Sequence, residues 1–140
     1  FACRAGTSTG LNSGKDWTEQ NLGEVARYYN NGGGNYSYIP TDSGPERGTG
    51  KVGSYRPNAW GIYDMHGNIP EICLDWYQDD LGSDAVTEPK GPATNADGYH
   101  VLRGGSYKDD KTQVCRSAAR MADKPWVTAY LGFRVCVPVE

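Results

Sequence analysis

The feature that most constrains this chain is Gly61-Ile-Tyr-Asp-Met-His-Gly-Asn-Ile-Pro-Glu71, which gathers oxygen-bearing residues around a tight Gly67-Asn68 turn and leads into Cys73-Leu-Asp-Trp-Tyr77. Gly and Asn adopt positive φ at low cost, so the backbone reverses here. A reversal flanked by Asp64 and Glu71 can aim carboxylates and backbone carbonyls at one point, the donor set that Ca²⁺ selects. The spacing alone favours the plainer reading of two carboxylates that cap the turn and face water.

Composition narrows the fold class. Only 37% of the 140 residues are hydrophobic, while Gly numbers 19, Tyr 10 and Trp 4. Abundant glycine and aromatics with few long apolar periodicities argue for short strands and structured loops within one domain. No run is apolar enough to span a bilayer as a helix. The net charge of -3 and the scattered Lys and Arg lack the basic footprint that nucleic acid requires. The cysteines, Cys3, Cys73, Cys115 and Cys136, show no CxxC spacing and only two histidines accompany them, which argues against a structural zinc site.

Along the chain, Asn30–Asn35 and Thr41–Gly50 have loop composition, and Trp17, Tyr28, Tyr29, Tyr36 and Tyr38 supply rings to anchor the surrounding segment. Lys51–Tyr55 and Val101–Tyr107 read as short strands, and Leu131–Val137 reads as a closing strand. Arg56–Trp60 reads as a turn. No repeat or interior linker divides the chain.

Two further blocks, Val101-Leu-Arg-Gly-Gly-Ser-Tyr107 and Leu131-Gly-Phe-Arg-Val-Cys136, flank Cys115-Arg-Ser-Ala-Ala-Arg120. Together with the Gly61–Glu71 stretch, in this order and at these separations, they resemble the formylglycine-generating enzyme (sulfatase-modifying factor) family over essentially the whole chain. The resemblance implies an α+β, C-type lectin-like fold of short strands and much irregular loop. It also places Phe1–Gly6 well inside the family's domain, so residues 1–140 correspond to its C-terminal portion. A companion segment carrying the N-terminal portion is then an expected partner, covering Phe1–Cys3 and the strand that ends at Val137. An extracellular or periplasmic setting is expected.

Several site assignments follow from the resemblance. Calcium would be held by the side chains of Asp64 and Glu71 and the carbonyls of Gly67 and Ile69. Pro70 stands where the family usually has Trp; it removes an N–H but keeps the Ile69 carbonyl and biases Ile69 towards extended geometry. A second calcium site of the family would need an oxygen ligand at Arg27, a cation that cannot ligate metal. For disulfides, the resemblance favours Cys3 with Cys136, although Cys136 lies one residue past the family position; Cys73 and Cys115 are left as a second pair or as buried thiols.

The family's oxidases bind copper through a cysteine pair just after the Gly-Gly-Ser-Tyr turn, because Cu(I) needs thiolate ligands. Here Asp109 occupies the first of those positions, and Cys115 falls where non-oxidase relatives carry a lone structural cysteine. Ser106 lies in no nucleophile elbow. Nothing in the sequence brings His66 or His100 beside a nucleophile, so both read as buried or surface residues. Arg103, Arg116, Arg120 and Arg134 read mostly as scaffold residues binding carbonyls or carboxylates.

The resulting expectation is a calcium-stabilised, non-oxidase module that binds a protein, peptide or glycan ligand through Tyr107, Asp109, Asp110, Trp126 and Tyr130. Two alternatives stand beside it. One is a divergent formylglycine-generating enzyme or related oxidoreductase, and the other is a retroelement-diversified C-type lectin-like protein.

Overall fold

The computed structural model of the chain describes residues 1–32, 48–87, 89, 91–109, 112–125 and 130–136. Asp110, Trp126, Tyr36, Tyr38 and Val137 lie outside the described residues.

Regular structure within these residues is short. Helix α1 spans Glu19–Leu22; Thr18 caps it by accepting the Asn21 N–H at 3.3 Å, and Glu19 lies in its first turn, where a negative charge suits the helix dipole. Its one buried side chain, Leu22, joins Leu11, Val25, Ala26, Tyr28 and Cys115 in the hydrophobic core, against which Val114 packs. Strands β1 (Ala26–Arg27) and β2 (His66–Gly67) pair in parallel. Strands β3 (Glu71–Trp76), β4 (His100–Arg103) and β5 (Met121–Asp123) form an antiparallel sheet in that order.

The pairing of β1 with β2 depends on glycine. Gly67 has φ of 65°, and a Cβ built there would lie 2.2 Å from the Arg27 carbonyl oxygen, so no larger residue fits without opening the pair. Gly105 is constrained alike, with φ of 71° and a Cβ position 2.7 Å from the Cys115 sulfur.

Two expected strands differ. Lys51–Tyr55 is a turn: Gly53 takes φ of 71°, and the Ser54 N–H and hydroxyl both bond back to the Lys51 carbonyl. Within 101–107 only the start is strand, because Gly104 and Gly105 both take positive φ and end β4 at Arg103. In the described part of the closing segment, Gly132 makes a parallel bridge to Glu71. The Gly132 N–H bonds to the Pro70 carbonyl at 2.8 Å, and the Ile72 N–H to the Gly132 carbonyl at 2.9 Å.

Arginine contacts tie the loops to the sheet. Arg103 donates to the carbonyls of Ser117, Ala118 and Ala119, which satisfies three acceptors with one guanidinium. Arg116 and Arg120 lie over the rings of Trp17 and Tyr77, at 5.5 and 5.1 Å.

Candidate functional site

The Gly67-Asn68 turn is bonded on three sides. Asp64, Gly67 and Asn68 all adopt left-handed φ, between 55° and 65°. The Gly67 N–H donates to the Gly104 carbonyl at 2.7 Å, the Asn68 N–H to the Arg27 carbonyl at 2.7 Å, and the Asn68 carbonyl accepts the Tyr107 N–H at 3.0 Å. The Asn68 side chain completes the set by accepting the Gly50 N–H at 2.8 Å. The turn is thereby joined to β1, to the Gly-Gly-Ser-Tyr block and to the loop ending at Gly50.

His66, beside this turn, is a core residue. It is 1% exposed; Nε2 accepts the Asn12 N–H at 3.1 Å, so Nδ1 carries the proton and donates to the Cys115 carbonyl at 2.6 Å. Burial lowers its pKa below the ordinary histidine value, with the Cys115 carbonyl opposing. His100 Nδ1 lies 3.1 Å from the Cys73 carbonyl, and its ring centroid lies 4.1 Å from that of Trp76. His66 Nε2 also has the Cys3 sulfur 3.8 Å away, but that ring nitrogen is already committed to the Asn12 N–H.

All four residues expected to hold calcium line a single cavity of about 600 Å³. Asp64, Gly67, Ile69 and Glu71 share it with Val52, Tyr63, Phe133, Arg134 and Val135. Arg134 binds a carboxylate and a carbonyl, as expected of a scaffold arginine, though the sequence did not name its partners. Its Nε and Nη2 donate to both Glu71 carboxylate oxygens, at 2.5 to 3.1 Å, and Nη2 also reaches the Asp64 carbonyl at 3.1 Å. The Glu71 hydrogen bond raises the Arg134 pKa further, fixing the charge. The Asp64 carboxylate accepts the Gly53 N–H at 2.7 Å. Among the described residues, no three His, Cys, Asp or Glu side chains converge as a metal cluster. The donor types still suit calcium, which mixes few carboxylates with carbonyls, but a metal ion and the Arg134 guanidinium compete for Glu71.

Asp109, which the resemblance sets at the position of the family's first copper thiol, closes the Gly-Gly-Ser-Tyr turn. One carboxylate oxygen accepts the Ser106 N–H at 2.7 Å and the Ser106 hydroxyl at 2.8 Å. Ser106 Oγ in turn accepts the Lys108 N–H at 3.2 Å. Cys115 is fully buried; burial and the Asp109 charge push its thiol up to about 12. A thiol so placed stays protonated at neutral pH.

Of the expected ligand-binding residues, Tyr107 needs correction. It is 6% exposed, so its ring is buried rather than displayed, and its backbone N–H is bonded to the Asn68 carbonyl. Tyr130 is half-buried with the Lys108 ammonium 3.2 Å from its ring centroid, so that face is already covered. The four cysteines are free thiols. The Cys3 sulfur lies 3.6 to 3.8 Å from the Ser117 hydroxyl, the Met65 carbonyl and His66 Nε2, while Cys136 is exposed. Phe1 is 97% exposed, its ring edge-on to Trp60 at a centroid distance of 5.0 Å.

The short strands, the glycine-ordered loops and the turn-bound cavity define a C-type lectin-like domain. The likeness extends to solved structures. Treponema denticola variable protein 1 superposes with a TM-score of 0.70 at 32% identity, over 94% of this chain and 42% of that one. PvdO from Pseudomonas aeruginosa superposes with a TM-score of 0.62 at 25% identity, over 94% of this chain and 46% of that one. The chain belongs to the sulfatase-modifying factor family, whose domain, described as sulfatase-modifying factor enzyme 1-like, matches residues 1–138. The formylglycine-generating enzyme of Bos taurus is 31% identical over 137 residues, 96% of this chain and 35% of that protein. That of Streptomyces coelicolor is 37% identical over 105 residues, 72% of this chain and 33% of that protein. The serine/threonine-protein kinase pkn1 of Chlamydia pneumoniae is 44% identical over 88 residues, 61% of this chain and 14% of that protein. The chain thus spans about a third or less of the lengths of these curated relatives.

Proposed function

We propose that this chain is a non-oxidase member of its family, a calcium-stabilised module that binds a protein, peptide or glycan ligand. The observation that carries the reading is Asp109: its carboxylate is committed to Ser106 where a copper-binding thiol would stand, and the buried Cys115 has no second thiol beside it in the turn. Carboxylate oxygen is a poor ligand for Cu(I), and a thiol that ionises near pH 12 is a poor source of thiolate.

The binding surface in this proposal is the cavity beside the Gly67-Asn68 turn. It is lined by the exposed side chains of Val52, Tyr63, Phe133 and Val135 together with the polar residues Asp64, Asn68, Glu71 and Arg134. Exposed apolar walls around a few fixed polar groups suit a ligand that offers an apolar face and hydrogen-bonding groups together. Calcium would be held by Asp64, Gly67, Ile69 and Glu71, and would lock the turn that forms the cavity floor. Arg134 then hands Glu71 to the ion.

Arrays of glycans and of peptides, probed with the labelled chain and with Phe133→Ser and Tyr63→Ser variants, test the surface. Binding by the parent that both variants lose supports the cavity, whereas binding unaffected by either places the ligand elsewhere. The oxidase alternative makes the opposite demand: copper-dependent oxygen consumption on a cysteine peptide.

A further inference from the structure

We propose that Arg134 is an anion receptor held in check by Glu71: with calcium on Asp64 and Glu71, its guanidinium turns to the carboxylate of a peptide ligand in the same cavity. The proposal rests on the calcium reading above and adds the chemistry of the ligand and its control.

Arg134 is committed on one side only. Nε and Nη2 hold both Glu71 oxygens, and Nη2 also reaches the Asp64 carbonyl, whereas Nη1 donates to no acceptor among the described residues. The side chain is 33% exposed and lines the cavity. A guanidinium carries five N–H donors in a planar fork, so Nη2 can keep the Asp64 carbonyl while Nε and Nη1 take a new acceptor. Glu71 is the contact to be surrendered, because its carboxylate also belongs to the calcium donor set.

Charge decides what enters. Asp64 and Glu71 set against Arg134 leave the cavity one negative charge in excess, which repels a carboxylate. With a divalent cation on the two carboxylates, the charge that remains is that of Arg134. The cavity then attracts an anion, and the guanidinium fork selects a carboxylate. Because both ligands act on one side chain, the coupling is reciprocal, and the peptide tightens calcium binding by the same factor.

The apolar lining favours a peptide over a sugar. Val52, Phe133 and Val135 are 77%, 76% and 74% exposed, and two of the three are aliphatic side chains without a flat face for a sugar ring. The Asn68 side-chain oxygen, which could serve a hydroxyl, is committed to the Gly50 N–H. A carboxylate flanked by apolar side chains matches this lining.

The test is fluorescence anisotropy of three labelled peptides, Val-Glu-Phe amide, Val-Gln-Phe amide and Val-Gln-Phe with a free C-terminus, titrated with the chain in calcium and in chelator. In calcium, a carboxylate peptide should bind roughly tenfold or more tighter than Val-Gln-Phe amide, the contribution of a charge-assisted hydrogen bond, and chelator should remove the difference. Which of the two carboxylate peptides binds tells a side-chain carboxylate from a terminal one. Arg134→Gln should lose the preference while keeping the rise in melting temperature with calcium, and Arg134→Lys should recover part of it. A preference that survives chelator, equal binding of all three peptides, or no saturable binding of any overturns the proposal, and the calcium reading then stands alone if calcium still raises the melting temperature. A melting temperature unmoved by calcium overturns both. Glucuronic acid binding more tightly than the carboxylate peptides overturns the assignment to a peptide. The parent's own titrations decide these outcomes, so the test holds even where a variant fails to fold.

Discussion

Arg134 and Glu71, 63 residues apart in sequence, meet at 2.5 Å and place one fixed positive charge inside the oxygen-lined cavity. Both side chains keep a quarter to a third of their surface exposed, so solvent screening limits what the pair contributes. Arg134→Gln should cost about 1 kcal/mol, read as a fall in urea midpoint with unchanged slope.

Calcium should raise the melting temperature of the parent relative to chelator, since a ligand that binds only the native state stabilises by mass action. The competition at Glu71 sharpens this expectation. Glu71→Gln should abolish the rise, and Arg134→Gln should enlarge it by removing the rival cation. An unchanged melting temperature in parent and Arg134→Gln alike would remove calcium from the account.

His66 predicts the acid side of the stability curve. Its folded pKa is depressed by burial, so below about pH 6.5 the unfolded state binds a proton that the native state resists. The contribution is full above the unfolded value and is lost as pH falls towards the depressed native one. Denaturant titrations at about pH 7.5 and about pH 5, either side of the ordinary histidine value, should show stability dropping in the parent and dropping less in His66→Asn. Equal drops in both would place the acid sensitivity at other groups.

Gly67→Ala should destabilise by about 2 kcal/mol or more, because it combines left-handed backbone with a Cβ placed 2.2 Å from the Arg27 carbonyl oxygen. Gly14→Ala provides the control. Gly14 has φ of 79° but nothing within 4 Å of its Cβ position, so backbone strain alone, about 1 kcal/mol, should appear. Thermal or urea melts of the two variants that coincide would show that the β1–β2 approach is not tight.

The turn was legible in the sequence because Gly67 and Asn68 declare it locally, and the blocks that carry the family resemblance delivered the fold class. The bonds of Asp109 to Ser106 were not legible, since the sequence offered Asp109 as a ligand-binding residue and not as a turn-closing acceptor. The Glu71–Arg134 pair was not, since it depends on a parallel contact between segments far apart in the chain. Tyr107 read as a displayed ring because aromatic-plus-carboxylate loops are often exposed; in the fold it is 6% exposed, a packing outcome that composition does not carry. Lys51–Tyr55 has strand composition, yet the positive φ at Gly53 breaks it into a turn.

The central proposal is that Asp109 and the buried Cys115 leave this chain without oxidase chemistry, and copper titration under an oxygen electrode tests it most directly. With Cu(I) and a cysteine-containing sulfatase peptide, the account predicts no stoichiometric high-affinity copper binding and oxygen consumption equal to that of the peptide and copper without protein. Tight one-to-one copper binding, with catalytic oxygen uptake and conversion of the peptide cysteine to formylglycine, would contradict it.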